Sequence, residues 1–76
     1  MEQYVKDNFE LDSVQSSYVE NFSINSQVWF GNINNLHYEV KFLYVDDKLI
    51  GVSLNEKKLS PKKFEKKMAK LLNKNL

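Results

Sequence analysis

Between Leu36 and Val45 the chain reads "LHYEVKFLYV", in which Leu36, Tyr38, Val40, Phe42 and Tyr44 alternate with His37, Glu39 and Lys41. A two-residue period of this kind belongs to a β-strand that buries one face. After "DDK" the period returns in "LIGVSL", through Ile50, Val52 and Leu54. A loop of Asp46-Asp47-Lys48 would pair Tyr44 with Ile50, Phe42 with Val52 and Val40 with Leu54. A two-residue loop would put those partners on opposite faces, so the pattern predicts the three-residue hairpin. Upstream, "QVWFGNI" joins the same strand through Asn34-Asn35, residues that tolerate the positive φ of a tight turn. That register sets Trp29 opposite Val40. The expectation is a three-stranded antiparallel meander.

A helix is predicted to follow. Ser60 suits an N-cap and Pro61 the first helical position, while Leu59 and Phe64 have the spacing of a hydrophobic staple. Phe64, Met68, Leu71 and Leu72 form an apolar stripe, with Lys62, Lys63, Lys66, Lys70 and Lys74 elsewhere on the wheel. Such a helix would lie across the apolar face of the sheet. Residues 10–24 admit two readings. Leu11, Val14, Tyr18 and Phe22 fit a helix beginning near Asp12, with Gln15 completing a capping box. Val14, Tyr18, Phe22 and Ile24 also fit a strand. The helix is the favoured reading, residues 1–9 being left as a flexible tail, and the expected fold is α+β in the order α-β-β-β-α.

With 76 residues and no cysteine, one small domain must hold together by packing alone. No apolar run is long enough for a membrane span and no signal peptide is recognisable, so a cytoplasmic site is the default expectation. The net charge of +1 hides a division along the chain. Residues 1–56 carry nine acids against three lysines, a balance of −6, whereas residues 57–76 carry eight lysines against Glu65, a balance of +7. A basic segment of this density is a candidate grip for phosphates.

The stretch from Tyr38 to Leu72 resembles the second half of a double-stranded-RNA-binding domain. The shared features are the alternating "YEVKFLYV", a short turn, a third strand containing Gly51, and a lysine-led helix. The resemblance implies that Lys62, Lys63 and Lys66 contact phosphates across a major groove. It further implies minor-groove contacts from residues 11–22 and from Asn32-Ile33-Asn34-Asn35, with His37 close by. Two departures are plain. Leu54 to Leu59 intervene where the family runs directly into its helix, and Phe64 and Met68 replace small alanines within it.

Lys62, Lys63, Lys66, Lys70 and His37 are therefore the candidate nucleic-acid contacts. The bland reading of the lysines is a solvated helix back, and it weighs most for Lys70 and Lys74. A second candidate surface lies opposite the buried sheet face, where Val28, Phe30, Leu43, Val45 and Leu49 would gather. If both helices cover one face, this cluster is a partner or dimer surface. If the N-terminal segment crosses over, it is a second small core. His37 has no second His or Cys with which to bind a metal, and Asp46-Asp47 suits a turn better than a cation. No glycine-rich phosphate loop occurs. No enzymatic activity, metal or cofactor is expected. Two functions remain. One is a module for double-stranded nucleic acid, RNA preferred. The other is a small inhibitor or regulator, of the kind phages and mobile elements carry, that binds a partner protein through its acidic part or its open sheet face. Homodimerisation is compatible with either.

Overall fold

Two-residue turns set the architecture. The computed structural model describes residues 1–73 and orders them as α1 (Glu2–Asn8), β1 (Glu10–Val19), β2 (Phe22–Ile33), β3 (Leu36–Val45), β4 (Lys48–Leu54), β5 (Lys57–Leu59) and α2 (Pro61–Asn73). The strands form one antiparallel sheet in chain order, β1-β2-β3-β4-β5. At Asn34-Asn35, Asp46-Asp47 and Asn55-Glu56 both turn residues hold positive φ, the conformation whose twist matches flanking strands. Asn and Asp reach it at least cost after glycine. Their side chains also fasten the next strand over. Asp46 accepts the backbone N–H of Ser23 at 3.0 Å, and Asn55 accepts that of Glu39 at 2.9 Å. Asn34 donates to the Leu71 carbonyl at 3.0 Å, which ties the second turn to α2.

Trp29 pairs with Val40, Phe42 with Val52 and Val40 with Leu54, as the alternation predicts. The β3–β4 loop differs from expectation. It has two residues, and a bulge between Leu43 and Tyr44 absorbs Ile50, so that Tyr44 pairs with Leu49. An extra residue in one strand restores the face that a two-residue turn alone would have inverted. Leu49 consequently packs against the core instead of joining the opposite face, and Ile50 is exposed.

The two helices lie on the same face of the sheet. Val5 and Phe9, Phe64 and Met68 are buried with Ile33, Val40, Phe42, Tyr44, Val52 and Leu54. Phe64 meets Phe42 edge-on, ring centroids 5.9 Å apart. Ser60 caps α2 by accepting the Lys63 N–H at 3.2 Å. The class is α+β, with five strands in place of the three expected. The helix expected over residues 10–24 is instead the β1–β2 hairpin, because that segment has a strand partner along its length. Residues 1–9, expected to form a flexible tail, instead contain α1, anchored by the fully buried Val5. The stretch between Leu54 and Leu59 builds a further hairpin and ends in β5.

Phe9 packs so closely on Gly31 that a Cβ there would clash with its ring carbons. Gly31→Ala should therefore lower stability by about 1–3 kcal/mol, the usual cost of overpacking, read as a lower denaturant midpoint. Glu56→Gly should act oppositely. It relieves a side chain held at φ 69 and creates an Asn-Gly turn, raising stability by ~0.5–1 kcal/mol in the same measurement.

Candidate nucleic-acid interface

Helix α2 presents its lysines according to what it must bury. With ~100° between successive residues, turning Phe64, Met68, Leu71 and Leu72 to the core sends Lys63, Lys66, Lys67 and Lys70 to one flank. These four lysines, with Leu59 of β5 and Leu71, line an open groove of about 390 Å³. The lysine stems and the two leucines give it apolar walls, and the ammonium groups are free to reach outward. Among the described residues no carboxylate lines the groove. Glu65, the acid of α2, is turned away and meets the N-terminal amine at 3.0 Å. Among the described residues none of the four lysines forms an ion pair.

Lys62 is exposed but stands outside the groove, on the flank that also carries Ala69. Lys67 takes its place. The sequence reading passed over Lys67, although its position four residues after Lys63 puts the two on one stripe. Lys74 lies outside the described residues. His37 is on the opposite side of the sheet from α2. It stacks on Phe30 with centroids 5.5 Å apart, and its Nδ1 lies 3.2 Å from Asn32 Oδ1. The structure therefore does not bring His37 together with the lysines. The turn at Asn34-Asn35 is exposed and is tied to α2 through Asn34. Basic character does extend past α2, through Lys57 and Lys58 of β5. Lys58 shares a small hollow with Lys41 and Ser53 on the open face.

Among the described residues no helix covers that open face. Strand register places Ile24, Val28 and Phe30 of β2 there beside Leu43 and Val45 of β3, all half-buried. Four of the five residues expected on this surface are present, and Leu49 is not.

A third site lies beside α1, where Lys6, Asn25, Gln27, Tyr44 and Asp47 line a polar recess of about 240 Å³. Four of these five residues already have polar partners. Trp29 donates to Gln27, Gln27 to Asn25 and Asn25 to Ser16, at 3.1, 3.0 and 2.8 Å. The Tyr44 hydroxyl donates to the Glu2 carboxylate, and Lys6 lies 5.3 Å above the Tyr44 ring. The Tyr44 bond holds the Glu2 carboxyl below its ordinary 4.5, against the opposing effect of burial and with help from Lys6. Burial first, and then Glu2, pushes the Tyr44 hydroxyl up. Tyr44 and Glu2 raise Lys6 against the effect of its burial.

Among the described residues no three His, Asp or Glu converge as a metal site, and no helix is long and apolar enough to cross a membrane. Comparison with family models, curated proteins and solved structures finds no match to this chain.

The Glu2 contact makes a pH prediction. A carboxyl depressed in the folded state adds stability above its unfolded value, and this is lost as pH falls through the folded one. Denaturant midpoints followed from about pH 6 down to pH 3 should fall below pH 4.5, and Glu2→Gln should flatten that limb. Lys6 and Tyr44 are raised, so their contribution is present below about pH 10 and is lost as pH rises further.

Proposed function

We propose that this chain is a non-enzymatic binding module that holds the backbone phosphates of duplex nucleic acid, RNA in preference to DNA, through the lysine stripe of α2. The observation that carries the reading is the set Lys63, Lys66, Lys67 and Lys70, which have no ion pair and share one groove without a carboxylate among the described residues. Positive side chains left without protein partners gain by displacing the counterions condensed on a polyanion. Spaced at i, i+3, i+4 and i+7, they span ~10 Å of helix, enough for two or three successive phosphates. Lysine acts there as a flexible point charge and reads no base edge, so contacts of this kind position the module without selecting sequence. The preference for RNA is drawn from the likeness of residues 38–72 to the double-stranded-RNA-binding domain. The minor-groove contact that this likeness implies for residues 11–22 would have to come from a hairpin, since those residues are not helical.

The half-buried apolar cluster of Val28, Phe30, Leu43 and Val45 favours a second reading, a partner protein held on the open face. The two readings separate by substitution. Fluorescence anisotropy with ~20-base-pair RNA and DNA duplexes should give a log K that falls linearly with log salt, at a slope of about −2 to −4. Lys63→Glu with Lys67→Glu should weaken binding at least ~10-fold and flatten that slope, whereas Phe30→Asp should leave it unchanged. Absence of binding to either duplex at ~50 mM salt would reject the phosphate grip and move the search to protein partners.

A further inference from the structure

The two edges of the sheet are built differently. β5 closes one edge with three residues, two of them lysines, which is the usual way an edge is blunted against further pairing. β1 forms the other edge with ten residues, exposed along its whole length. From Ser13 to Val19 it reads "SVQSSYV", with no charge, proline or glycine. Val14 is 49%, Val19 58% and Tyr18 81% exposed. A long uncharged edge of β-favouring residues offers its backbone to any strand of matching register.

The turn after β1 decides which backbone groups are on offer. Val19 pairs with Phe22 across a two-residue turn, which makes them a mutually hydrogen-bonded pair. Bonded pairs recur at every second position, so Ser13, Gln15, Ser17 and Val19 spend their N–H and C=O groups on β2. Val14, Ser16 and Tyr18 turn theirs outward, without a partner strand.

We infer that β1 is a self-pairing edge, on which a second copy of this chain adds its own β1 antiparallel, with the two-fold axis at Ser16. The side chains are self-complementary in that register. Val14 faces Tyr18 of the second copy, and Tyr18 faces its Val14, giving two aromatic–β-branched pairs on one face. Ser16 faces Ser16, and on the other face Gln15 meets Ser17 and Ser13 meets Val19. A slip of two residues in either direction places Val14 or Tyr18 opposite Ser16, and the other opposite Glu20 or Asp12. Both apolar pairs are then lost. The ladder ends at defined points, because Asp12 sits at the bulge between Leu11 and Ser13 and Glu20 begins the turn. An isologous contact of this kind closes on itself, and since both partners use their β1, the blunted β5 edges are left at the two ends. The result is a ten-stranded sheet with all four helices on one side. Nothing in this inference depends on the lysine groove, which lies on the far side of the molecule.

Sedimentation equilibrium over a concentration series tests it. The mass should rise from that of the 9.0 kDa monomer towards twice that value. Ser16→Pro removes an outward-facing N–H, at a place where an edge strand tolerates proline, together with the hydroxyl that accepts from Asn25. It should weaken the dimer at least ~10-fold, whereas Ser16→Ala, which loses the same hydroxyl and keeps the N–H, should not. Ser16→Lys and Ser16→Glu each set like charges face to face and should stay monomeric alone. Mixed together, they should form a heterodimer. Amide exchange gives a readout that fold damage would not imitate. Val14, Ser16 and Tyr18 should be protected in concentrated wild type and exposed in dilute, with β2 and β3 unchanged. A mass that stays at the monomer value to ~1 mM would overturn the proposal and leave the edge to a strand of another protein. A dimer indifferent to Ser16→Pro, or a Lys/Glu mixture that stays apart, would overturn it equally.

Discussion

The contact on which the rest of the molecule depends is the one between Phe42, at the centre of the sheet, and Phe64, in the second turn of α2. Both rings are buried, and Met68, Val40 and Val52 close around them. A chain of this size without disulfides has few such contacts to spend, and it spends them on one side of the sheet. Once Phe64 is seated on Phe42, the direction of every other residue of α2 is determined. The lysine stripe faces outward because the aromatic faces inward. The electrostatic surface is in this sense a by-product of core packing.

One-sided packing also explains why the other face keeps its apolar residues half exposed. Ile24, Val28, Phe30, Leu43 and Val45 are covered only by their cross-strand neighbours and by the twist of the sheet. The Phe30–His37 stack is a local solution to the same problem, an aromatic shielded by a neighbouring ring in the absence of a helix. Charge follows the same division. The acids are spread through the N-terminal part and the turns, and the lysines gather where α2 and β5 meet.

The legible parts of the fold were those where periodicity and turn chemistry agreed. The strict alternation of Tyr38, Val40, Phe42 and Tyr44, the Asn34-Asn35 turn and the capped α2 all satisfy both conditions. Residues 10–19 misled for a specific reason. The bulge at Asp12 turns the odd separation between Leu11 and Val14 into a same-face pair, and Tyr18 follows four residues later on that face. Spacings of three and four thus arise in a strand and imitate a helix. With neither face of β1 buried, no burial period exists to correct the impression. α1 gave little signal because it has seven residues, one buried side chain and no side-chain cap. β5 was hidden behind Asn55-Glu56, a turn whose second residue is a poor conformational match for positive φ. At the candidate site, lysine density was visible. The exchange of Lys62 for Lys67 needed the helix to be seated before it could be seen.

Each strand pairs only with the strand next to it in the chain, and no connection crosses the sheet. Loop-closure entropy is therefore small at every step, and a chain assembling by successive hairpins meets few topological obstacles. The same arrangement divides the domain by opening free energy. Strands β3 and β4, which carry Val40, Phe42, Tyr44, Val52 and Leu54 into the core beneath the helices, are expected to open last. β1 is hydrogen-bonded to β2 alone and buries no side chain, so it is expected to open at lower cost than the core strands. A domain assembled in this order keeps its most exchangeable strand at one edge, where detaching and re-pairing cost the least.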